Sequence, residues 1–170
     1  MIVKKILSLA ASIIKLFIII LLFTSNSKAE EKNIKYYSYD KGILSLMYHR
    51  FNENKYPSTN IQMDIFKDQI GIIRNLKYNF YDPIDLEKNF ENVKIEKKIL
   101  ITIDDAFFSF YEFAWPYLKK EKIPFILFVS TESVGKNGYM NWDQIKELEI
   151  ENTVYIGNHS HTHNYLVDLK

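Results

Sequence analysis

Apolar residues in this chain fall into short blocks separated by polar segments, and the blocks are of two kinds. ILSLMY at 43–48, ILITI at 99–103, FILFV at 125–129 and the stretch from Thr153 to Ile156 all have strand length, and the middle two are nearly unbroken apolar runs of the kind buried strands show. Asn79 to Asp82 reads as a further strand or connector ahead of Pro83. A different spacing starts at Asp64 and runs to about Lys77. There Ile65, Phe66, Ile70, Ile73 and Leu76 recur at helical intervals, and Asp64 is a residue type suited to capping. Pro116 fits a first-turn position of a second helix. Asn141 and Gln144, three apart, predict a capping box for a third helix that runs through Leu148. Arg50 to Gln62 is polar, holds Pro57 and reads as a loop; Gly135 and Gly138 mark another.

Short apolar strands alternating with helices predict an α/β fold with a parallel sheet or barrel. In such folds the chemistry gathers at the carboxyl ends of the strands. His49, the pair Asp104-Asp105, and the run His159 to His163 each fall directly after a predicted strand.

The amino terminus has another character. Lys4 and Lys5 precede a greasy stretch from Ile6 to Phe23, interrupted by Ser8, Ser12 and Lys15, and Ser27-Lys28-Ala29 supplies the small residues of a cleavage site. This order predicts a signal peptide over 1–29, with an uncleaved membrane anchor as the alternative. A polar, Tyr-bearing linker over 30–42 and one domain over 43–170 complete the expected division. The product is expected to be exported: periplasmic, on the cell surface or secreted.

Composition narrows the function. Loss of 1–29 would remove four of the 22 basic residues and none of the 21 acidic ones, leaving a net charge near −3. A nucleic-acid binder needs a basic footprint, so that class is set aside. The chain has no cysteine, which excludes disulfides and a Cys-linked lipid anchor and leaves any metal to His and carboxylates.

The four histidines are His49, His159, His161 and His163, so three lie within five residues and the fourth ends a different strand. A zinc-like ion takes three protein ligands and keeps one position open for water. His159 and His163, four apart, can share one side of a helical turn, and Asp104-Asp105 offers two carboxylates at a neighbouring strand end. One would bind the ion; the other would take a proton from the water. Each motif alone has an ordinary explanation: a turn or helix cap for the Asp pair, a surface pair for the histidines.

Together the motifs resemble a known family. Ile101-Thr-Ile-Asp-Asp-Ala106 is similar to the first motif of the NodB-type polysaccharide deacetylases (carbohydrate esterase family 4), and His159-Ser-His-Thr-His163 is similar to the second. Between them, Pro116-Tyr-Leu-Lys-Lys, Ile123-Pro-Phe, Phe128-Val, the glycine loop and Trp142 also resemble the family. The resemblance implies Asp104 as catalytic base and Asp105, His159 and His163 as ligands of a divalent metal ion, best suited to Zn2+, with cobalt, nickel or iron as other candidates. His161 falls on a variable position and is expected to face solvent or play a supporting part. Leu46-Met47-Tyr48-His49 resembles the early strand of the poly-N-acetylglucosamine deacetylase branch, which implies His49 as the acid that protonates the leaving amine; a structural histidine is the alternative.

The sequence also departs from the family. Ala106 stands where a glycine is usual. The late arginine that orients the base has no counterpart, since Arg50 and Arg74 are the only arginines and neither matches. A full eight-stranded β/α barrel takes roughly 250 residues. The expected fold is therefore a partial, incomplete parallel β/α barrel of the NodB type, in a fragment, a truncated product or a decayed copy. The expected function is metal-dependent removal of acetyl groups from N-acetylated sugars of a cell-envelope or exported polysaccharide. A non-catalytic remnant that binds glycans at the envelope is the alternative. A metal hydrolase of the amidohydrolase type fits less well, because its His-x-His ends an early strand with further ligands after it. The expected partner is the acetylated polysaccharide, with membrane contact only through an uncleaved signal segment.

Overall fold

The computed structural model describes residues 43–85 and 98–168; the predicted signal peptide over 1–29 and linker over 30–42 lie outside the described residues. The strands are β1 (Leu44–Tyr48), β2 (Arg50–Phe51), β3 (Asn60–Ile61), β4 (Asn79–Phe80), β5 (Lys98–Asp104), β6 (Phe125–Val129) and β7 (Val154–Asn158). Helix α1 (Met63–Asn75) precedes β4, α2 (Trp115–Glu121) joins β5 to β6, and α3 (Trp142–Glu149) joins β6 to β7. The main sheet runs β1-β5-β6-β7, with β4 pairing the start of β5, and every pairing is parallel. This is the predicted α/β class.

Strand β5 lies centrally and is buried on both faces, which is why its sequence is a continuous apolar run. One face carries Ile99, Ile101 and Ile103, and β6 adds Phe125, Leu127 and Val129. Against them pack Phe66, Ile70 and Ile73 of α1, Trp115 and Leu118 of α2, and Ile145 and Leu148 of α3. Fully burying one such side chain contributes roughly 1.5–3 kcal/mol, so this layer carries most of the fold's stabilisation. The opposite face holds a smaller cluster of Leu100 and Tyr81 with Ile43 and Ile126.

Several local expectations need correction. Asp64 does not cap α1. Gln62 occupies the cap position without a side-chain bond, while Asn52 Oδ1 accepts from the Met63 N–H at 2.9 Å. The cap is thus supplied by a residue ten positions before the cap site, with left-handed backbone at Asn52. The apolar face of α1 is narrower than the spacing suggested: Ile65 and Leu76 are 49% and 60% exposed, and Met63 joins Phe66, Ile70 and Ile73 inside. Residues 50–62 are not only loop, because β2 and β3 pair within them.

The other local signals appear as read. Asn141 and Gln144 form both halves of a capping box on α3, each bond 2.9 Å long. Pro116 sits in the first turn of α2. It follows a π-helical segment, Phe110–Ala114, in which Trp115 N–H reaches back to Phe110. A proline cannot donate to the fourth residue before it, and the chain ahead of it takes the wider turn.

Candidate metal centre

Sheet register places the polar residues of interest. Asp104 pairs with Phe128, and Phe128 with Gly157. Side chains alternate along a strand, so these three share the face opposite the helix-packed core. His49 follows β1 directly and His159 follows β7 directly. The candidate residues therefore converge at the carboxyl edge of the sheet.

Two left-handed residues in succession, Asp105 at φ 72° and Ala106 at φ 55°, turn the chain out of β5. The usual glycine at position 106 is explained by that φ, and alanine there carries strain of roughly 1–2 kcal/mol. The turn is held by Met140 N–H donating to Ala106 O at 2.9 Å and Phe108 N–H donating to Gly138 O at 2.9 Å.

The histidine segment is not the helical turn its spacing suggested. Ser160 and His163 have φ of 64° and 56°, which no right-handed helix contains. Side chains shape it instead: Ser160 N–H donates to Asn158 Oδ1 at 2.8 Å, and His163 N–H donates to Ser160 Oγ at 3.0 Å. The end of β6 supports it from below, through His159 N–H to Val129 O at 3.0 Å, Thr131 N–H to Ser160 O at 3.2 Å and Glu132 N–H to His161 O at 2.9 Å. The His161 ring turns away to Thr131 Oγ1, with Nδ1 2.8 Å from it. Thr131, and Ser130 whose Oγ donates to His161 O at 3.4 Å, were missed in the sequence, where nothing links them to residues thirty positions on.

The result is a triangle of donor atoms. His163 Nε2 and His159 Nε2 are 3.0 Å apart. Asp105 Oδ1 lies 3.4 Å from His163 Nε2 and 3.6 Å from His159 Nε2. A tetrahedral ion with bonds of about 2.0–2.1 Å sets its donors about 3.3–3.4 Å apart, and the three separations bracket that value. Two imidazole nitrogens and one carboxylate oxygen are also the donor types such an ion takes. The group is half-buried at Asp105 and His159 and exposed at His163, so an open position toward solvent remains.

Asp104 stands beside the triangle without belonging to it. Its Oδ2 is 3.9 Å from His159 Nε2, and its Oδ1 is buried with no hydrogen-bond partner among the described residues. Burial pushes its carboxyl above the ordinary carboxylate range. The imidazoles of His49, His159 and His163 pull the other way, and Asp105 adds to the rise. His49 is near enough to act on Asp104 but lies outside the triangle.

Residues 91–170 match the family described as polysaccharide deacetylase. Over that stretch, a little under half of the chain, this protein is similar to polysaccharide deacetylases. A poly-beta-1,6-N-acetyl-D-glucosamine N-deacetylase of Staphylococcus aureus is 35% identical over 72 residues, which is 41% of this chain and 25% of that protein. The solved structure of IcaB from Ammonifex degensii is 32% identical with a TM-score of 0.63, covering 69% of this chain and 52% of that one. The deacetylase PplD of Streptococcus pyogenes, solved with acetate, shares the fold at 24% identity and a TM-score of 0.65, with 75% and 60% covered. The chain thus spans about half the length of these structural relatives and a quarter of the curated one. The partial barrel agrees with that coverage.

Proposed function

We propose that this chain removes acetyl groups from N-acetylated sugars of an exported polysaccharide, with poly-β-1,6-N-acetylglucosamine as the first substrate to try. The observation that carries the reading is the donor triangle of Asp105, His159 and His163 beside an uncommitted carboxylate, Asp104. The curated relative's name supports the glycan class. The signal-like amino terminus supports export.

Asp105, His159 and His163 would hold the ion, best suited to Zn2+. A divalent cation there would polarise the acetyl carbonyl and make a water molecule acidic enough to ionise near pH 7. Asp104 takes the proton from the attacking water, a role open to it because no other group among the described residues occupies its Oδ1. Burial strengthens Asp104 as a base, and turnover should fall as pH drops through its raised pKa. His49 returns a proton to the departing amine nitrogen.

The test uses the purified chain and Zn2+ at about a hundred times its Kd, where binding stabilises the fold by about 2.7 kcal/mol. Zinc should raise the thermal midpoint and enable acetate release from β-1,6-linked N-acetylglucosamine oligomers, and His159→Ala should abolish both. Folded, zinc-loaded protein that frees no acetate from any acetylated glycan would sink the enzymatic reading. Retained affinity for the glycan would then favour the binding-remnant alternative.

A further inference from the structure

The sequence comparison with the family left Arg50 without a role, yet the structure surrounds it with more specific contacts than any other cation among the described residues. Its guanidinium carbon lies 3.4 Å from the centre of the Phe107 ring and 4.1 Å from that of Tyr56, so the planar group is flanked by two aromatic rings. Its Nη1 donates to Glu53 Oε2 at 2.9 Å, and only 14% of the side chain is exposed. Glu53 is tied in turn: Ser109 Oγ donates to its Oε1 at 2.5 Å, and the same hydroxyl accepts from the Phe51 N–H at 3.2 Å. Ser109 is buried, and Phe51 is fully buried.

These contacts join two strand ends. Arg50 is the residue after His49, and Phe107 is two residues after Asp105. Tyr48, on the other side of His49, is held by its hydroxyl donating to Gln69 at 2.8 Å and by edge-on packing against Phe66. His49 itself has no hydrogen-bond partner among the described residues. Both neighbours are fixed, and the His49 imidazole lies near enough to bear on the Asp104 carboxyl, so where His49 sits is set by the backbone that Arg50 pins.

We propose that Arg50 is a positioning residue: stacked on Phe107 and paired with Glu53, it locks the His49 segment against the Asp104-Asp105 turn. Its charge is consumed by Glu53 inside the clamp, so it does not act on substrate or on the base directly. The function requires a flat guanidinium, which stacks and pairs at once; lysine offers charge without the plane. The proposal rests on the reading of His49 as proton donor.

Arg50→Lys is the test, with two independent readouts. The first is the ring Cε1–H resonance of His49 by NMR in the full chain. It should be single and sharp in the parent protein and broadened or shifted in Arg50→Lys, while zinc affinity stays unchanged. The second is kinetic. Misaiming a reacting group costs about a hundredfold, so kcat should fall by about that factor while KM moves less than about twofold. In a His49→Ala background the same change should cost nothing further. Tyr56→Leu, which removes the outer ring only, should shift the same resonance to a smaller degree and serves if Arg50→Lys does not fold. An unmoved His49 resonance in folded Arg50→Lys, or a loss of kcat that persists in the His49→Ala background, overturns the proposal. The NMR arm decides without turnover, so a chain that releases no acetate defeats the functional reading and leaves the clamp to be judged separately.

Discussion

Asp104 and Asp105 are adjacent in the chain and live in different surroundings. Asp104 still belongs to β5 and follows its alternation into a nearly closed site, where one oxygen has no partner among the described residues. Asp105 is swung aside by its left-handed backbone toward two imidazoles. The pairing of an Asp dyad with a histidine run was legible in the sequence, because both follow apolar blocks of strand length. The turn that separates the two carboxylates was not legible in the residue itself, since alanine at position 106 gives no sign of positive φ and only the glycine usual there in the resembling family hinted at it. Burial raises the Asp104 pKa above its ordinary 3.8, so the folded metal-free protein holds this proton to higher pH than the unfolded chain does. That tighter hold stabilises fully below pH 3.8 and is lost as pH rises through the raised value. Asp104→Asn removes the ionisation, so the metal-free variant should melt higher than the parent at neutral pH. Its zinc affinity should be near the parent's and its turnover about 10²–10⁴ lower, checked by calorimetry and acetate release.

Strands β6 and β7 meet the site through a close approach that only glycine permits. A Cβ at Gly157 would come within 2.5 Å of two ring carbons of Phe128, and the Phe128 ring in turn lies 6.2 Å from that of His159. Gly157→Ala should therefore cost about 1–3 kcal/mol by overpacking and weaken zinc binding as the ring is driven toward His159. Adding Phe128→Leu should recover much of the stability; thermal melts of the single and double variants check both. Elements with local signals were readable: the ILITI and FILFV blocks, the capping box of Asn141 and Gln144, and the first-turn Pro116. Others depended on distant partners. The start of α1 takes its cap from Asn52, the two-residue pair β2–β3 is too short for any periodicity, and the exposed side of Ile65 and Leu76 reflects what α1 has to pack against rather than its own pattern.

Across the molecule, the fold class followed from alternating blocks, while the ties between distant segments did not. One of these joins β7 to the segment after β4: the Tyr155 hydroxyl donates to Asp82 Oδ1 at 2.7 Å. Burial first, then that bond and the nearby carboxylate charge, push the Tyr155 phenol from 10.0 to about 12. The neutral phenol is the form the fold favours, so its contribution is complete below pH 10 and is lost as pH rises toward 12. Tyr155→Phe should flatten the alkaline limb of a stability-versus-pH curve between those values, with little change in shape near neutrality.

The candidate metal triangle draws on two turns, one after β5 and one after β7, with α2, β6 and α3 between them in the chain. A cation clasped there would fasten the two turns together as a staple does, in a polypeptide that has no thiol with which to make one. Chelation would then cut a crosslink as well as remove a reagent.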